Sequence, residues 1–87
     1  MQDVLARVQK AFNAAFEVAP GSVTINTVPG DIRAWDSMGH VTLASSLEQE
    51  FGVTFDVDEL MEMENVREIV RIVQAKFARL DQAVARR

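Results

Sequence analysis

The sequence predicts an all-α fold, a small four-helix bundle with three longer helices, a short third helix and a long loop between helices one and two. Apolar residues recur at helical spacing in separate segments, and proline-glycine pairs interrupt the chain after the first of them. No second strand is apparent to pair with the one short alternating stretch. The chain has 87 residues, of which 48% are hydrophobic, enough for one small core. We therefore expect a single domain over residues 1–87.

The first helix is predicted over residues 2–17. Leu5, Val8 and Phe12 recur at helical spacing, which gives this segment one apolar face. Arg7 falls on another face. The segment is therefore typical of an amphipathic helix packed on a core.

A loop is predicted over residues 18–36, because Pro20-Gly21 and Pro29-Gly30 break any regular structure there. A connection of this length is unusual in a compact domain unless it is functional or held by its own side chains. Five apolar residues could hold it in place. They are Val23, Ile25, Val28, Ile32 and Trp35.

Three more helices complete the predicted bundle. Helix two is expected over residues 37–51, with Gly52 as its stop, and a short helix three over residues 57–63. Helix four is expected over residues 66–80 behind an Asn65 cap, leaving residues 81–87 as a tail.

The apolar residues of helix four continue at heptad spacing beyond its predicted end. This series comprises Val66, Val70, Val73, Phe77, Leu80 and Val84. Two interpretations remain open. The last two positions could form a C-terminal spur able to dimerise, or the segment could be a frayed basic last turn, since Arg79, Arg86 and Arg87 suit the negative end of a helix dipole.

The composition excludes several classes of site. The chain has no cysteine, which rules out disulfides and thiolate chemistry, and a single histidine makes a metal centre implausible. No apolar run reaches the roughly 20 residues of a membrane span. The N-terminal segment lacks the apolar core of a signal peptide, so we expect a cytoplasmic protein.

Charge is unevenly distributed along the chain, whose net charge is −4. Residues 36–65 contain eight acids and no lysine or arginine, whereas the remainder contains five acids and all nine basic residues. Such a block favours basic protein partners and repels nucleic acid. The simpler interpretation is a pair of solvated helix faces.

Ser37 lies where the loop is expected to become helix two, within the stretch AWDSMGHV. The Asp36-Ser37 pair is typical of a helix cap. A nucleophile assisted by His40 is disfavoured, because Asp36 and His40 cannot line up in relay behind Ser37 on one helical turn. If Asp36 is the cap, the Ser37 hydroxyl is exposed at the positive end of a helix, which suits an attached anion.

Three motifs occur in order: Asp36-Ser37-Met38, then VTLASSLEQEFGVTF, then ENVREIV. Together they resemble the acyl carrier protein family over roughly residues 4–77. The resemblance implies a carrier and not an enzyme, with 4'-phosphopantetheine joined to Ser37 by a phosphopantetheinyl transferase. An acyl or aminoacyl group would then be carried on the arm's thiol as a thioester.

The resemblance also implies partners and a recognition surface. The partners would be the transferase and the loading and processing enzymes of fatty acid, polyketide or nonribosomal peptide biosynthesis, which dock through basic patches onto helices two and three. The recognition residues would be Asp36, Met38, Val41, Glu48, Glu59 and Glu62. A monomer is expected.

Cargo and pathway are less well defined. The residues Gly39-His40-Val41-Thr42 resemble discrete carriers of specialised pathways or peptidyl carriers more than the housekeeping fatty-acid type. Gly39 is interpreted as clearing space for a partner, and His40 as a surface residue or a contact of the arm. Candidate cargo-cavity walls, each of which could equally be ordinary core, are Leu47, Phe55, Leu60, Met63 and Ile69. The rival hypothesis is an unmodified acidic helical protein-interaction domain in which Ser37 is only a cap.

Overall fold

The computed structural model describes the backbone of residues 2–85 and the side chains of residues 4–78. Its four helices are α1 (Gln2–Phe16), α2 (Ser37–Phe51), α3 (Val57–Glu62) and α4 (Val66–Ala85). Two single 3₁₀ turns, Pro20–Ser22 and Pro29–Asp31, lie in the loop between α1 and α2. No strand occurs in residues 2–85. The predicted fold class, a small helical bundle with one short helix, is therefore confirmed.

One core lies between α1, α2 and α4, with α3 and the loop closing its ends. The apolar faces predicted from helical spacing point into it, and α1 packs chiefly against α2. Edge-to-face contacts join Phe12 to Trp35 and Phe51 to Phe77. The buried apolar residues are Val8, Ala11, Phe12, Val23, Trp35, Leu43, Ala44, Leu47, Phe51, Phe55, Met63, Val66, Ile69, Ile72 and Val73.

The long loop is held by side chains and by backbone hydrogen bonds. Val23 and Trp35 are buried, as predicted, but Val28 is 42% exposed and does not anchor the loop. Thr27 was not predicted to matter, yet it is buried and its carbonyl accepts a hydrogen bond from Val66 N–H at 3.1 Å. The loop thus satisfies one of the amides that the first turn of α4 leaves without a helical partner.

Helices α1 and α3 each end one residue earlier than predicted, whereas α2 ends where predicted. Glu17 has φ 58°, a left-handed conformation, so α1 ends at Phe16 and not at residue 17. Met63 leaves the helical region at φ −79° and ψ 65°, so α3 ends at Glu62. The end of α2 was predicted from Gly52, which adopts the left-handed conformation at φ 67°.

Helix α4 continues to Ala85, so the prediction that residues 81–87 form a non-helical tail is wrong for 81–85. No glycine or proline interrupts the sequence after Val66, and good helix formers fill it. The side chains of Arg79, Leu80 and Val84 lie outside the described residues, as do Arg86 and Arg87 altogether. The dimerising spur and the basic last turn therefore both remain predictions.

None of the helices within residues 2–85 has the length and apolar character that crossing a bilayer requires.

The loop packs closely against α2 at Gly39. A Cβ atom at this position would lie 1.8 Å from the Ala34 carbonyl oxygen and 3.1 Å from Phe16 Cε1. The carbonyl belongs to the backbone and cannot rotate away. Glycine is therefore required here by packing within the chain, and the interpretation that it clears space for a partner is replaced by this one.

We predict that Gly39→Ala destabilises the fold by about 1–3 kcal/mol, the usual cost of forcing extra volume into a packed site, even though alanine favours helix more than glycine does. Urea unfolding followed by circular dichroism measures the change. Gly30→Ala is the matched control, because a Cβ there meets nothing within 4 Å. Equal stability of the two variants would contradict the prediction.

Candidate functional site

Asp36 is the cap of α2, and Ser37 is the first residue of the helix. The Asp36 carboxylate accepts a hydrogen bond from Gly39 N–H at 2.8 Å. The backbone carbonyl of Asp36 accepts another from His40 N–H, also at 2.8 Å. The backbone of Asp36 is extended, at φ −105° and ψ −165°. Because Asp36 occupies the cap, Ser37 does not need to cap the helix.

Ser37 is exposed, and its hydroxyl makes no hydrogen bond with another described residue. Of the amides in the first turn, Asp36 satisfies that of Gly39, while those of Ser37 and Met38 have no intrahelical acceptor. These amides and the helix dipole favour negative charge at the Ser37 oxygen. A phosphodiester on Ser37 therefore fits this position chemically.

His40 bridges the loop and α3. Trp35 Nε1 donates to His40 Nδ1 at 2.9 Å, and His40 Nε2 lies 2.8 Å from the Leu60 carbonyl oxygen. Indole nitrogen only donates and a carbonyl only accepts, so both bonds require the neutral imidazole with its proton on Nε2. The prediction that His40 is a surface residue is wrong, because its ring is half-buried and both nitrogens are bonded within the chain.

The Trp35 and His40 rings form one nearly flat surface. Their planes differ by 10° and their centroids are 6.2 Å apart. An indole N–H donates in the plane of its ring, so a 2.9 Å bond between near-parallel rings places them side by side, not face to face.

The same geometry excludes a catalytic relay at Ser37. The nitrogens of His40 are directed to Trp35 and Leu60, and the Asp36 carboxylate is bonded to Gly39 N–H. Neither group is left to take a proton from the Ser37 hydroxyl.

The acidic block is partly neutralised by the basic ends of the chain. Arg7 pairs with Glu50 at 3.2 Å and also donates to the Glu50 carbonyl. Lys76 of α4 lies 3.0 Å from Glu59, and both side chains are four-fifths or more buried. The linear charge pattern therefore overstates how much negative charge faces solvent.

Arg71 forms a second link between α4 and α3. It pairs with Glu68 at 2.7 Å and with Glu62 at 3.4 Å. The hydrogen bond and charge of Glu68 raise the pKa of the Arg71 guanidinium, which stays positive near neutral pH. Surface pairs of this kind contribute only about 0–1 kcal/mol each to the free energy of unfolding. The main effect of Arg71 is therefore to offset the negative charge of Glu68 and Glu62.

The predicted recognition residues fall into two groups. Glu48 is half-buried and accepts a hydrogen bond from Phe55 N–H at 2.8 Å, and Glu59 both completes the capping box of α3 and binds Lys76. Asp36 caps α2. Met38, Val41 and Glu62, by contrast, are exposed. The first group has structural contacts, and the second is accessible to a partner.

Further exposed residues extend this accessible surface. Met61 is 72% exposed and Val57 is 69% exposed, beside the exposed acids Asp58 and Glu64. Val57 was not singled out as a recognition residue from the sequence. Its position in the first turn of a short helix, just after the Asp56 cap, was the sequence signal that could have indicated exposure.

The candidate cargo-cavity walls all belong to the core. Leu47, Met63 and Ile69 are at most 2% exposed, Phe55 is 9% exposed, and Leu60 is half-buried against them. The structure brings these five residues together, in agreement with an ordinary core role. A cavity role remains a prediction.

Residues 35–73 match the family model described as the phosphopantetheine attachment site. No curated protein matches the chain significantly. The matched segment, 39 of the 87 residues, is similar to phosphopantetheine-binding carrier domains, which are non-catalytic and carry covalently attached 4'-phosphopantetheine. The match begins at Trp35 and includes Ser37, His40 and Leu60. It therefore covers the start of α2 and the hydrogen bonds that link it to the loop and to α3.

We predict that Trp35 and His40 are energetically coupled. His40→Ala and Trp35→Phe each remove the same hydrogen bond, so the double variant should lose less stability than the sum of the single losses, by about 0.5–1.5 kcal/mol. Urea unfolding by circular dichroism measures all three variants. Thr42→Ala, an exposed change on the same helix, should have little effect. Strict additivity would show that the bond contributes nothing.

Proposed function

We propose that this chain is an acyl or aminoacyl carrier in which Ser37 bears the 4'-phosphopantetheine arm. The observation that carries the proposal is the exposed Ser37 hydroxyl at the first position of α2, inside the matched segment and free of hydrogen bonds. Asp36 performs the capping, so modification of Ser37 costs the helix no contact.

The attachment step is a phosphoryl-type transfer catalysed by a separate enzyme. A bond forms between Ser37 Oγ and the phosphorus next to the pantetheine group of coenzyme A, and the pyrophosphate linkage of coenzyme A breaks. Adenosine 3',5'-bisphosphate leaves, and the hydroxyl proton passes to a base of the transferase. The chain contributes an accessible oxygen at a position where the unpaired amides of Ser37 and Met38 favour the resulting anion.

The carrier itself has no group able to hold cargo as a thioester, since it lacks cysteine. The thiol would be supplied by the arm, while the protein supplies attachment and presentation. Tethering makes delivery to a docked enzyme nearly intramolecular, because a short flexible linker raises the local concentration to the millimolar range or so.

Docking would use the exposed part of α2 and α3. Met38, Val41 and Met61 offer apolar contacts, and methionine side chains adapt to different partners. Asp58 and Glu62 supply exposed negative charge on α3. Partners with basic patches would bind here briefly and in a salt-dependent manner, which suits successive enzymes acting on one cargo.

The type of carrier is inferred from the first turn of α2. Housekeeping fatty-acid carriers resembling this chain usually have acids where it has Gly39, His40 and Thr42. Because Gly39 and His40 are committed to packing against the loop and α3, this turn is built differently. We therefore favour a discrete carrier of a specialised pathway or a peptidyl-type carrier.

We predict that incubation with coenzyme A and a broad-specificity phosphopantetheinyl transferase adds one phosphopantetheinyl group, measured by intact mass. Ser37→Ala should abolish the gain and leave the circular dichroism spectrum unchanged, because the exposed Ser37 hydroxyl makes no hydrogen bond with another described residue. Ser45→Ala is the matched control, an exposed serine on the same helix that should leave labelling intact. An unmodified chain beside a working control carrier would favour the acidic interaction domain.

We predict that Glu62→Lys raises the KM of the transferase for the carrier several-fold at low salt, with little change in kcat. The side chain is 61% exposed and its described contact is a 3.4 Å pair with Arg71, so stability should change by no more than about 1 kcal/mol. Glu48→Lys should instead lower stability, because it removes the acceptor of Phe55 N–H. Raising ionic strength should narrow the KM difference for Glu62→Lys. An unchanged KM would remove α3 from the docking surface.

A further inference from the structure

An open hollow lies directly beside Ser37 on the loop side of α2. It is lined by Pro29, Trp35, Asp36, Ser37 and His40. Two of these residues belong to the attachment position itself. The other three are residues with ring side chains, and the lining of the hollow is mainly apolar.

The ring side chains of the hollow are fixed before anything binds. Trp35 is 4% exposed. Its indole nitrogen is bonded to His40, and its ring makes an edge-to-face contact with the ring of Phe12. His40 has both nitrogens occupied, by Trp35 and by the Leu60 carbonyl. Neither ring retains a free hydrogen-bonding group, so any ring surface that either residue contributes to the hollow is carbon, and the share of Trp35 is small because it is 4% exposed.

Pro29 is held equally firmly. It begins the 3₁₀ turn closed by Asp31 N–H to the Val28 carbonyl at 2.9 Å, and the Asp31 carboxylate accepts from Val28 N–H at 3.1 Å. The Pro29 carbonyl accepts from Ile32 N–H at 3.1 Å. The hollow is therefore a preorganised surface, which lowers the entropic cost of binding a flexible group.

We propose that this hollow seats the first segment of the arm that Ser37 carries, an inference that rests on the proposed function. In 4'-phosphopantetheine the phosphodiester is followed by a methylene and a carbon bearing two methyl groups, and only then by the hydroxyl and amides. That order, an anion and then a compact apolar group, matches the order of surfaces at the site. The anion lies at the start of α2, and the dimethyl carbon packs against Pro29, Trp35 and His40.

The seat and the proposed docking surface use different residues. Met38 and Val41, at 82% and 65% exposed, do not line the hollow. An arm held at its base on the loop side leaves both side chains accessible to a partner. The amide-rich remainder of the arm and its thiol stay free to reach into an enzyme.

The test compares isotope-labelled apo and phosphopantetheinylated protein by NMR, with intact mass establishing modification. We expect nuclear Overhauser effects from the two methyl groups of the arm to ring protons of Trp35, His40 and Pro29. We also expect the Trp35 Nε1–H resonance to shift on modification. Trp35 is the sole tryptophan of the chain, so the indole N–H resonance can be assigned to it directly.

Matched variants separate a seat from chance proximity. Pro29→Ala removes one wall and should weaken or abolish the methyl contacts while labelling at Ser37 continues. Gly30→Ala, the neighbouring control, adds a methyl group in open space and should retain them.

The possible outcomes are distinct. Full modification with no methyl contacts, and with shifts confined to Ser37 and Met38, would overturn the seat and leave the carrier function intact. Contacts that persist unchanged in Pro29→Ala would also overturn it as described here. A chain that gains no mass would overturn both proposals.

Discussion

The attachment of the loop to the first turn of α2 is the constraint on which the rest of the structure depends. The Ala34 carbonyl packs where Gly39 lacks a side chain, and Trp35 reaches His40, which in turn holds the Leu60 carbonyl. These contacts fix a long loop, the start of one helix and the end of another in a single arrangement. They give the position of Ser37 relative to α3 and the loop a direction that apolar packing alone does not supply.

Charge in this molecule is organised by folding more than by sequence. The chain concentrates acids in its centre and bases at its ends, but α1 and α4 bring Arg7, Lys76 and Arg71 back onto Glu50, Glu59 and Glu62 of that centre. The buried pair of Lys76 and Glu59 ties α3 to α4, whereas Asp58 and Glu62 remain exposed. The acids that a basic partner could reach therefore lie on α3 and just after it, at Asp58, Glu62 and Glu64. Affinity built from few exposed charges is modest and screened by salt, in keeping with brief encounters.

Sequence reasoning succeeded where the determining interactions are local. Helical spacing identified the apolar face of α1 that carries Leu5, Val8 and Phe12, and Gly52 marked the end of α2, where it adopts the left-handed conformation. It failed where the role of a residue depends on a contact with a residue distant in the sequence. His40 looked like a surface residue because Leu60, twenty residues away, cannot be placed beside it from spacing. Gly39 was assigned to a partner because the approach of Ala34 depends on the path of an irregular loop.

A one-residue difference in the cap decides what Ser37 can do. Had Ser37 been the cap, its oxygen would accept a backbone N–H bond, and any modification would remove a contact that stabilises the helix by about 1 kcal/mol. With Asp36 in that role, the hydroxyl is exposed while the positive field of the helix start is retained. The same arrangement directs Trp35, immediately before the cap, inward to His40. The cap, the exposed hydroxyl and the contact between Trp35 and His40 therefore all follow from one local chain path.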